Sequence, residues 1–150
     1  MVDLMTHPPA RLRALISWQA NKVNTVGSRL TAARMPLTGR ADFAVLAALE
    51  EYGVLSQAEL GRRLGLDRND INGVVSRLQE GRYLTREADP TDRRRNTVSL
   101  NTAGQRYLEE LQASTDAVQT ELVMTLTSEE AKQLQALLAK LLQAHPALPS

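Results

Sequence analysis

The sequence predicts a mainly α-helical protein with one small β-hairpin, in the α+β class. Apolar residues recur at helical spacing through most of the 150 residues. The exception is Tyr83–Leu100, where two short segments of strand character flank a turn-forming run, Asp89–Asp92. Two short helical segments, each followed by glycine, directly precede this hairpin. The length is that of a single domain, so we expect residues 1–150 to form one unit.

The N-terminal third predicts two helices and a short strand. Helical spacing of apolar residues runs from Ala10 to about Ala33, which indicates one helix of about six turns. Pro36 ends that pattern, and a second helix is predicted from about Gly39 to Glu51. Val54-Leu55 could then add a strand to the hairpin. The apolar residues expected to be mostly buried in the second helix are Phe43, Leu46, Ala47 and Leu49.

The next segment predicts two short helices joined by a tight turn. Ser56 and Glu59 form an S-x-x-E capping box, so a helix begins there, and Gly65 ends it. Asp67 is the N-cap of the following helix, and Gly81 its C-terminal stop. Apolar residues recur in this helix at i, i+3, i+4 and i+7 and predict its buried face: Ile71, Val74, Val75 and Leu78.

The opposite face of this helix carries side chains that can recognise bases. Arginine and asparagine form hydrogen bonds with guanine and adenine edges in the major groove of DNA. Any surface helix also has a polar side, and helix-turn-helix units also serve as packing motifs, so this pattern alone leaves both interpretations open. Ser56 and Gln57, at the N-terminus of the preceding helix, are expected to contact phosphate. The outward residues expected to meet DNA are Arg68, Asn69, Asn72, Ser76 and Arg77.

The hairpin supplies the stronger indication of DNA binding. Its turn continues into three consecutive arginines, Arg93, Arg94 and Arg95, which repel one another unless an anion is near. A narrow minor groove or a row of phosphates supplies that anion, whereas a merely soluble loop is the alternative. Asp92 precedes Arg94 by two residues and is expected to brace its guanidinium through a bidentate pair. Together with the two helices, the hairpin predicts a winged helix-turn-helix over about residues 37–100.

This wing resembles the signature D-x-R-x-x-x-x-x-L-T-x-x-G of the MarR (multiple antibiotic resistance regulator) family. Asn101 stands where the family usually has threonine, and both residues are good N-caps for the helix that follows. The similarity covers about Leu37 to Leu111. It implies that Arg94 enters the minor groove while Arg93 and Arg95 meet phosphates. Four residues fall on the fixed positions of the signature: Asp92, Arg94, Leu100 and Gly104.

Two leucine-rich helices are predicted after the wing. Asn101 starts one that runs to about Met124, and a capping box of Thr127 and Glu130 starts the last, which stops before Pro146. Their apolar surface exceeds what one small winged domain needs, so we expect a second copy to cover it around a two-fold axis. A monomer whose helices wrap their own core is the alternative. In the resembled family the terminal helices intertwine, which implies dimerisation helices at about residues 10–33 and 101–145.

Several other classes of protein are excluded by composition. The chain has no cysteine, and its two histidines lie near opposite ends, so we expect no disulfide, no metal site and no cofactor. It carries none of the common catalytic motifs, and its paired glutamates are adjacent on helices where neighbours point apart, so we expect no enzyme activity. No apolar run is long enough for a membrane span and no leader is recognisable, which predicts a cytoplasmic protein.

These patterns favour a sequence-specific, dimeric, DNA-binding transcription regulator. We expect a repressor that binds a pseudo-palindromic operator in double-stranded DNA and is released by a small molecule. The alternative is a winged-helix module that binds protein and not DNA. The resembled family often binds aromatic acids or other lipophilic compounds where the dimer helices meet the DNA-binding lobe. Trp18 is the candidate for contact with such an effector, although a structural role is its alternative.

Overall fold

A computed structural model describes residues 7–146, and this part of the chain contains seven α-helices and three β-strands. The predicted mainly helical α+β fold is therefore confirmed. The helices are α1 (Ala10–Arg13), α2 (Ile16–Ala32), α3 (Gly39–Tyr52), α4 (Gln57–Leu64), α5 (Arg68–Glu80), α6 (Thr102–Leu122) and α7 (Ser128–Ala144). The strands are β1 (Leu55–Ser56), β2 (Leu84–Ala88) and β3 (Asn96–Leu100).

The first predicted helix is interrupted. α1 and α2 are separated at Ala14 and Leu15, and Leu15 has an extended backbone (φ −79°, ψ 125°). The prediction of one continuous helix over residues 10–33 is therefore wrong in this respect. The side-chain amide of Gln19 donates to the carbonyl of Arg13 at 2.9 Å, which gives one carbonyl at the end of α1 a partner. Neither glycine nor proline lies at the break, so the sequence carries no signal for it.

A winged lobe, residues 37–100, contributes most of the main core, and Met35, Leu108 and Leu111 complete it. α3, α4 and α5 pack against each other and against the sheet, and each contributes a buried apolar face. The predicted buried face of α5 is confirmed in full. In α3, Leu46 and Leu49 are buried as predicted, whereas Phe43 and Ala47 lie at the edge of the core and are only partly buried. The largest fully buried side chains of this lobe are Leu46, Leu60, Leu78, Val45, Val75 and Val98.

The sheet is antiparallel with strand order β1-β3-β2. β1 begins at Leu55, one residue later than predicted, and pairs with the middle strand at Val98. β2 and β3 form the wing, in register from Leu84 opposite Leu100 to Ala88 opposite Asn96. Pairing on both sides of β3 fixes the direction in which the wing loop leaves the lobe.

Two glycines at the base of the wing allow close packing. α5 ends at Gly81 as predicted, but the residue with left-handed backbone is Arg82 (φ 62°). A Cβ on Gly81 would lie 2.6 Å from the ring of Tyr83, and one on Gly104 would lie 1.9 Å from the carbonyl oxygen of Tyr83. The absence of a side chain at both positions therefore lets α6 and the end of α5 approach the first residues of the wing.

The terminal helices are mostly exposed. The predicted starts of α6 and α7 are confirmed, because Asn101 caps the first and Thr127 with Glu130 forms a capping box on the second. α6 buries Leu108, Leu111 and Val118, whereas the described residues of α1, α2 and α7 include no buried side chain. Within residues 7–146, none of the helices has the length and apolar character needed to cross a membrane.

Candidate nucleic-acid interface

The N-termini of α4 and α5 open onto the same side of the lobe as the wing. The Ser56 hydroxyl accepts the N–H of Glu59 at 3.2 Å, and the Glu59 carboxylate accepts the N–H of Ser56 at 3.0 Å. The Ser56 hydroxyl also donates to this carboxylate at 3.0 Å, and the two hydrogen bonds that the carboxylate accepts from Ser56 lower the pKa of Glu59. Asp67 accepts the N–H of Asp70 at 2.8 Å and so caps α5. Both predicted caps are present, and they hold the two helix N-termini in place.

An open cleft of about 680 Å³ lies between the helix-turn-helix and the wing. The first turn of α4, the first turn of α5 and the wing loop form its walls. Predicted DNA-binding residues from all three elements are therefore gathered at one surface, although they lie up to 39 positions apart in the sequence (56 to 95). Those that line the cleft are Ser56, Gln57, Arg68, Arg94 and Arg95.

The wing arginines are exposed, but their bracing differs from the prediction. The Asp92 carboxylate accepts the backbone N–H of Arg94 at 3.0 Å, and its nearest guanidinium is that of Arg95, with Nε 3.7 Å away. The predicted bidentate pair between Asp92 and Arg94 is therefore wrong. A short acidic side chain readily bonds the backbone N–H two residues ahead, and this turn leaves the Arg94 side chain free to point into solvent.

Arg77 also departs from the prediction. Its Nη2 is hydrogen-bonded to the carboxylate of Asp42 on α3, and Asp42 is only 3% exposed. Its Nε is buried without a partner among the described residues. Arg77 lies next to the buried Leu78, at the edge of the apolar face of α5, and its long side chain turns inward from there. We therefore withdraw it from the residues expected to read bases.

The same carboxylate connects the lobe to α6. The hydroxyl of Tyr107 donates to the second oxygen of Asp42 at 3.1 Å, and the Tyr107 ring stacks on Tyr83 with centroids 4.4 Å apart. Burial, followed by the negative charge of Asp42, raises the pKa of Tyr107 to about 12. Asp42 thus joins three helices, α3, α5 and α6, through one buried group.

Sequence reasoning missed Arg86, the central side chain of a polar cluster on the wing side of α5. Its Nε donates to Gln79 Oε1 at 3.0 Å, and its Nη2 donates to Ser76 Oγ at 3.3 Å. Its Nη1 lies 3.3 Å from Asn72 Oδ1 and 3.5 Å from Gln57 Oε1. The strand alternation offered a signal, because residue 86 shares a sheet face with the buried residue 84 and must point towards the helix.

Of the remaining residues predicted to bind DNA or a ligand, two lie on α5 and one lies on α2. Arg68 and Asn69 are exposed on the first turn of α5, and only Arg68 lines the cleft. Trp18 lies on α2, half-buried, with the Lys22 ammonium 5.3 Å from its ring centroid. Another cleft, of about 170 Å³, is lined by residues of α2, the loop after it, α3 and α6, and does not include Trp18. Its lining residues are Thr31, Met35, Arg40, Phe43, Thr115, Val118 and Gln119.

Comparison with known proteins identifies relatives of this chain. The family model described as "MarR family" matches residues 36–95, which span the helix-turn-helix and the wing arginines. A solved structure of a probable transcriptional regulator from Pseudomonas aeruginosa is 34% identical, with a TM-score of 0.76, over 87% of this chain and 99% of that chain. The ligand-bound PcaV transcriptional regulator of Streptomyces coelicolor is 25% identical, with a TM-score of 0.75, over 93% and 100% of the two chains.

Among curated proteins, the HTH-type transcriptional repressor MdtR of Bacillus subtilis is 31% identical over 100 residues, which is 67% of this chain and 64% of the repressor. An uncharacterised HTH-type regulator of the same organism, YcgE, is 30% identical over 61% of this chain and 60% of its own length. The chain thus matches less than two thirds of the length of these two relatives.

Proposed function

This chain belongs to the MarR family, and from that premise we propose that it is a dimeric, sequence-specific DNA-binding transcription regulator. In this proposal it acts as a repressor, and a small molecule alters its affinity for the operator. One observation carries the proposal. The 680 Å³ cleft gathers the N-termini of α4 and α5 and two wing arginines on one side of the lobe.

The chemistry of this surface supports contact with a duplex. Ser56 and Gln57, at the N-terminus of α4, are suited to phosphate contact because N–H groups and the helix dipole favour an anion there. Arg68, Asn69 and Asn72 are the proposed base contacts in the major groove, with Ser76 beside them. In the wing, Asp92 orders the loop, Arg94 would enter the minor groove, and Arg93 and Arg95 would meet phosphates.

The wing also distinguishes DNA from a protein partner. A winged-helix module that binds protein is expected to offer aromatic or aliphatic side chains at its contact surface. Residues 91–96 of this wing instead carry hydroxyl, carboxylate, guanidinium and amide side chains, and all three arginines are exposed. The protein-binding alternative is therefore not favoured.

Dimerisation is proposed from the exposed apolar faces of the terminal helices. The large exposed apolar residues of α7 include Leu137 and Leu142, at 61% and 71% exposure. A second copy packed on these faces around a two-fold axis would cover them. Two recognition helices would then reach successive major grooves, so the operator would be a pseudo-palindrome with half-sites about one helical turn apart.

An effector is proposed because a PcaV structure is described in complex with its natural ligand. MdtR, which is named a repressor, supports the direction of regulation. In this chain the cleft between α2, α3 and α6 lies where the terminal helices meet the lobe, and Arg40 is the cation on its wall. Trp18 remains a candidate contact for a ligand held between two copies. A regulator that binds chromosomal DNA acts in the compartment that contains the chromosome, so we propose that this protein is cytoplasmic.

Titration of short duplexes at several salt concentrations tests this function. The parent protein should select one sequence over random duplex, and the logarithm of its affinity should fall linearly with the logarithm of salt concentration. Arg94→Ala should weaken binding, with a larger loss on A·T-rich flanks, because a narrow minor groove deepens the negative potential. Arg63→Ala is the matched control, since Arg63 lies over the ring of Tyr52 outside the cleft. If Arg94→Ala binds every duplex as tightly as the parent, the protein-binding alternative is preferred.

A further inference from the structure

The cluster around Arg86 carries an inference about which bases this protein reads. A guanidinium has five N–H donors and no acceptor. Arg86 directs four hydrogen bonds to side chains from α4 and α5, so most of its donors are already occupied. It therefore has little capacity left for a phosphate. These acceptors are amide and hydroxyl oxygens, so among the described residues this cation is held by neutral groups.

The donor-only chemistry of Arg86 fixes the orientation of the amide groups around it. Because a guanidinium only donates, the amide atom that faces it must be oxygen. Asn72 therefore turns Oδ1 towards Arg86, and this oxygen also accepts from Gln57 Nε2 at 3.2 Å. An amide oxygen has two lone pairs, and here each has a donor. The Nδ2 group of Asn72 donates to no other described residue, so both of its N–H donors are available.

This orientation changes what Asn72 can recognise. An asparagine that reads adenine accepts from N6 and donates to N7, so it needs a free oxygen. The Asn72 oxygen is occupied, and the positive charge of Arg86 lies 3.3 Å from it. An exposed NH₂ group beside a cation instead matches an edge that offers acceptors. Guanine offers two of these in the major groove, O6 and N7.

We propose that Arg86 is a positioning residue that determines specificity, because it converts Asn72 into a donor-only reader that prefers guanine to adenine. The proposal rests on the DNA-binding function proposed above. Arg86 acts through Asn72 and touches no base itself. Its planar fork is essential to this role, because a lysine ammonium in its place would keep the charge without spanning Gln79, Asn72 and Ser76 together.

Selection of bound sequences from random duplex DNA tests the proposal. Asn72→Ala first identifies the operator position that Asn72 reads, as the position whose base preference is lost. The parent should prefer guanine there over adenine by at least about fivefold, the lower limit for a well-formed contact. Arg86→Ala and Arg86→Lys should both reduce this preference to about twofold or less. Arg63→Ala removes one positive charge outside the cluster and should leave the preference unchanged.

Two outcomes would overturn the proposal while leaving the proposed function intact. In the first, Arg86→Ala weakens binding to all duplexes equally, reduces the salt slope by about one and keeps the guanine preference, which would make Arg86 a phosphate contact. In the second, the parent prefers adenine at the position read by Asn72. Failure of the function itself looks different, because the parent would then select no sequence.

The role of Arg86 can also be tested in the free protein, without DNA. The side-chain NH₂ resonances of Asn72 and Gln57 report their hydrogen bonds in the free protein. Both should shift in Arg86→Lys and stay in place in Arg63→Ala, with the two variants equally folded by thermal unfolding. Unchanged Asn72 and Gln57 resonances in Arg86→Lys would show that the guanidinium does not hold these amides. This result would contradict the proposal that Arg86 positions Asn72.

Discussion

The winged lobe and the terminal helices differ in how far their apolar residues are buried. In the lobe, α3, α4 and α5 all bury an apolar face against the sheet. In α1, α2 and α7 the apolar residues follow the same helical spacing, yet the described part of these helices has no buried side chain. The lobe therefore completes its core within one chain, with Leu108 and Leu111 of α6 included, whereas α1, α2 and α7 leave their apolar faces exposed.

Local chemistry does not account for this difference. α4 in the lobe and α7 outside it begin with the same device, a capping box of Ser56 with Glu59 and of Thr127 with Glu130. Both boxes are fully formed. A helix start is thus specified by three or four neighbouring residues in each region, while burial depends on what lies opposite.

Leu137→Asp should produce the largest effect, and it acts on the terminal helices. Leu137 is 61% exposed in the single chain, so a charge there costs the monomer little. In a dimer that covers α7, each chain would bury an unpaired carboxylate, at a cost of roughly 3–5 kcal/mol per chain. Sedimentation at micromolar concentration should show monomers that keep the helical content of the parent.

Gln143→Asp is the control for that substitution, because it adds the same charge to the polar side of α7. Gln143 is exposed, and it shares a helix face with Lys140, three residues before it, and with Lys132, eleven residues before it. This variant should remain dimeric. If Leu137→Asp also stays dimeric, the interface does not include the leucine face of α7.

Leu46→Ala should act on the lobe with a somewhat smaller effect. Leu46 is fully buried, at 0% exposure, so its removal leaves a cavity in the core and costs about 2–5 kcal/mol of unfolding free energy. Thermal unfolding and urea titration measure the loss. Leu142→Ala is the matched truncation on α7, where the side chain is 71% exposed in the chain. Leu142→Ala should lower the unfolding free energy only through the dimer, so its effect should depend on protein concentration. If both variants lose the same unfolding free energy at every concentration, the lobe and α7 do not differ in the way described above.

Asp42→Ala should weaken the junction between the two regions. It removes the partner of the Tyr107 hydroxyl and of the Arg77 guanidinium, and an unsatisfied buried group costs about 1–3 kcal/mol. Part of this cost is screened by solvent because the Arg77 side chain is 40% exposed. The expected readout is a lower melting temperature together with weaker DNA binding, since Arg77 no longer ties α5 to α3.

The phenol of Tyr107 gives this junction a pH dependence. Its folded pKa of about 12 lies above the ordinary value of 10, so the folded state favours the neutral phenol. The stability that the neutral Tyr107 phenol contributes to the folded state is fully present below pH 10 and is lost as pH rises from 10 towards 12. Unfolding measured across that range should show this loss in the parent and not in Tyr107→Phe. Parallel curves for the two proteins would mean that Tyr107 does not face the Asp42 carboxylate.

Removal of the two capping hydroxyls should produce the smallest effects, and these should differ between the lobe and the terminal helices. Ser56→Ala and Thr127→Ala each remove one cap, which costs about 1 kcal/mol of helix stability. Ser56→Ala should lower stability at every protein concentration, because α4 belongs to the lobe core. Thr127→Ala should lower mainly the stability of the dimer. Unfolding monitored at two concentrations a hundredfold apart distinguishes these results.

The lobe was predictable from sequence because its signals are local. Caps such as Asp67, stops such as Gly65 and the spacing of Ile71, Val74 and Val75 each depend on a few neighbouring residues. The long-range polar contacts were not predictable in the same way. Asp42 and Arg77 lie 35 positions apart, so the pattern of α5 alone placed Arg77 on the outward face.

Two further differences have distinct causes. Arg86 was overlooked because its partners come from α4 and α5, although strand alternation indicated which way it points. The break at Ala14 and Leu15 has no counterpart in residue type, since strong helix formers surround it. The contacts that hold Arg86 are made between elements, and a single sequence does not display them.

We expect the two winged lobes of a dimer, held together by the terminal helices, to bind one duplex. The mass of the protein–DNA complex on the sequence selected from random duplex, measured by sedimentation equilibrium, tests this most directly. We expect two chains per duplex on an inverted repeat whose half-sites lie about one helical turn apart, and no stable complex with Leu137→Asp at the same concentration. One chain bound to an asymmetric site, or equal binding by Leu137→Asp, would contradict it.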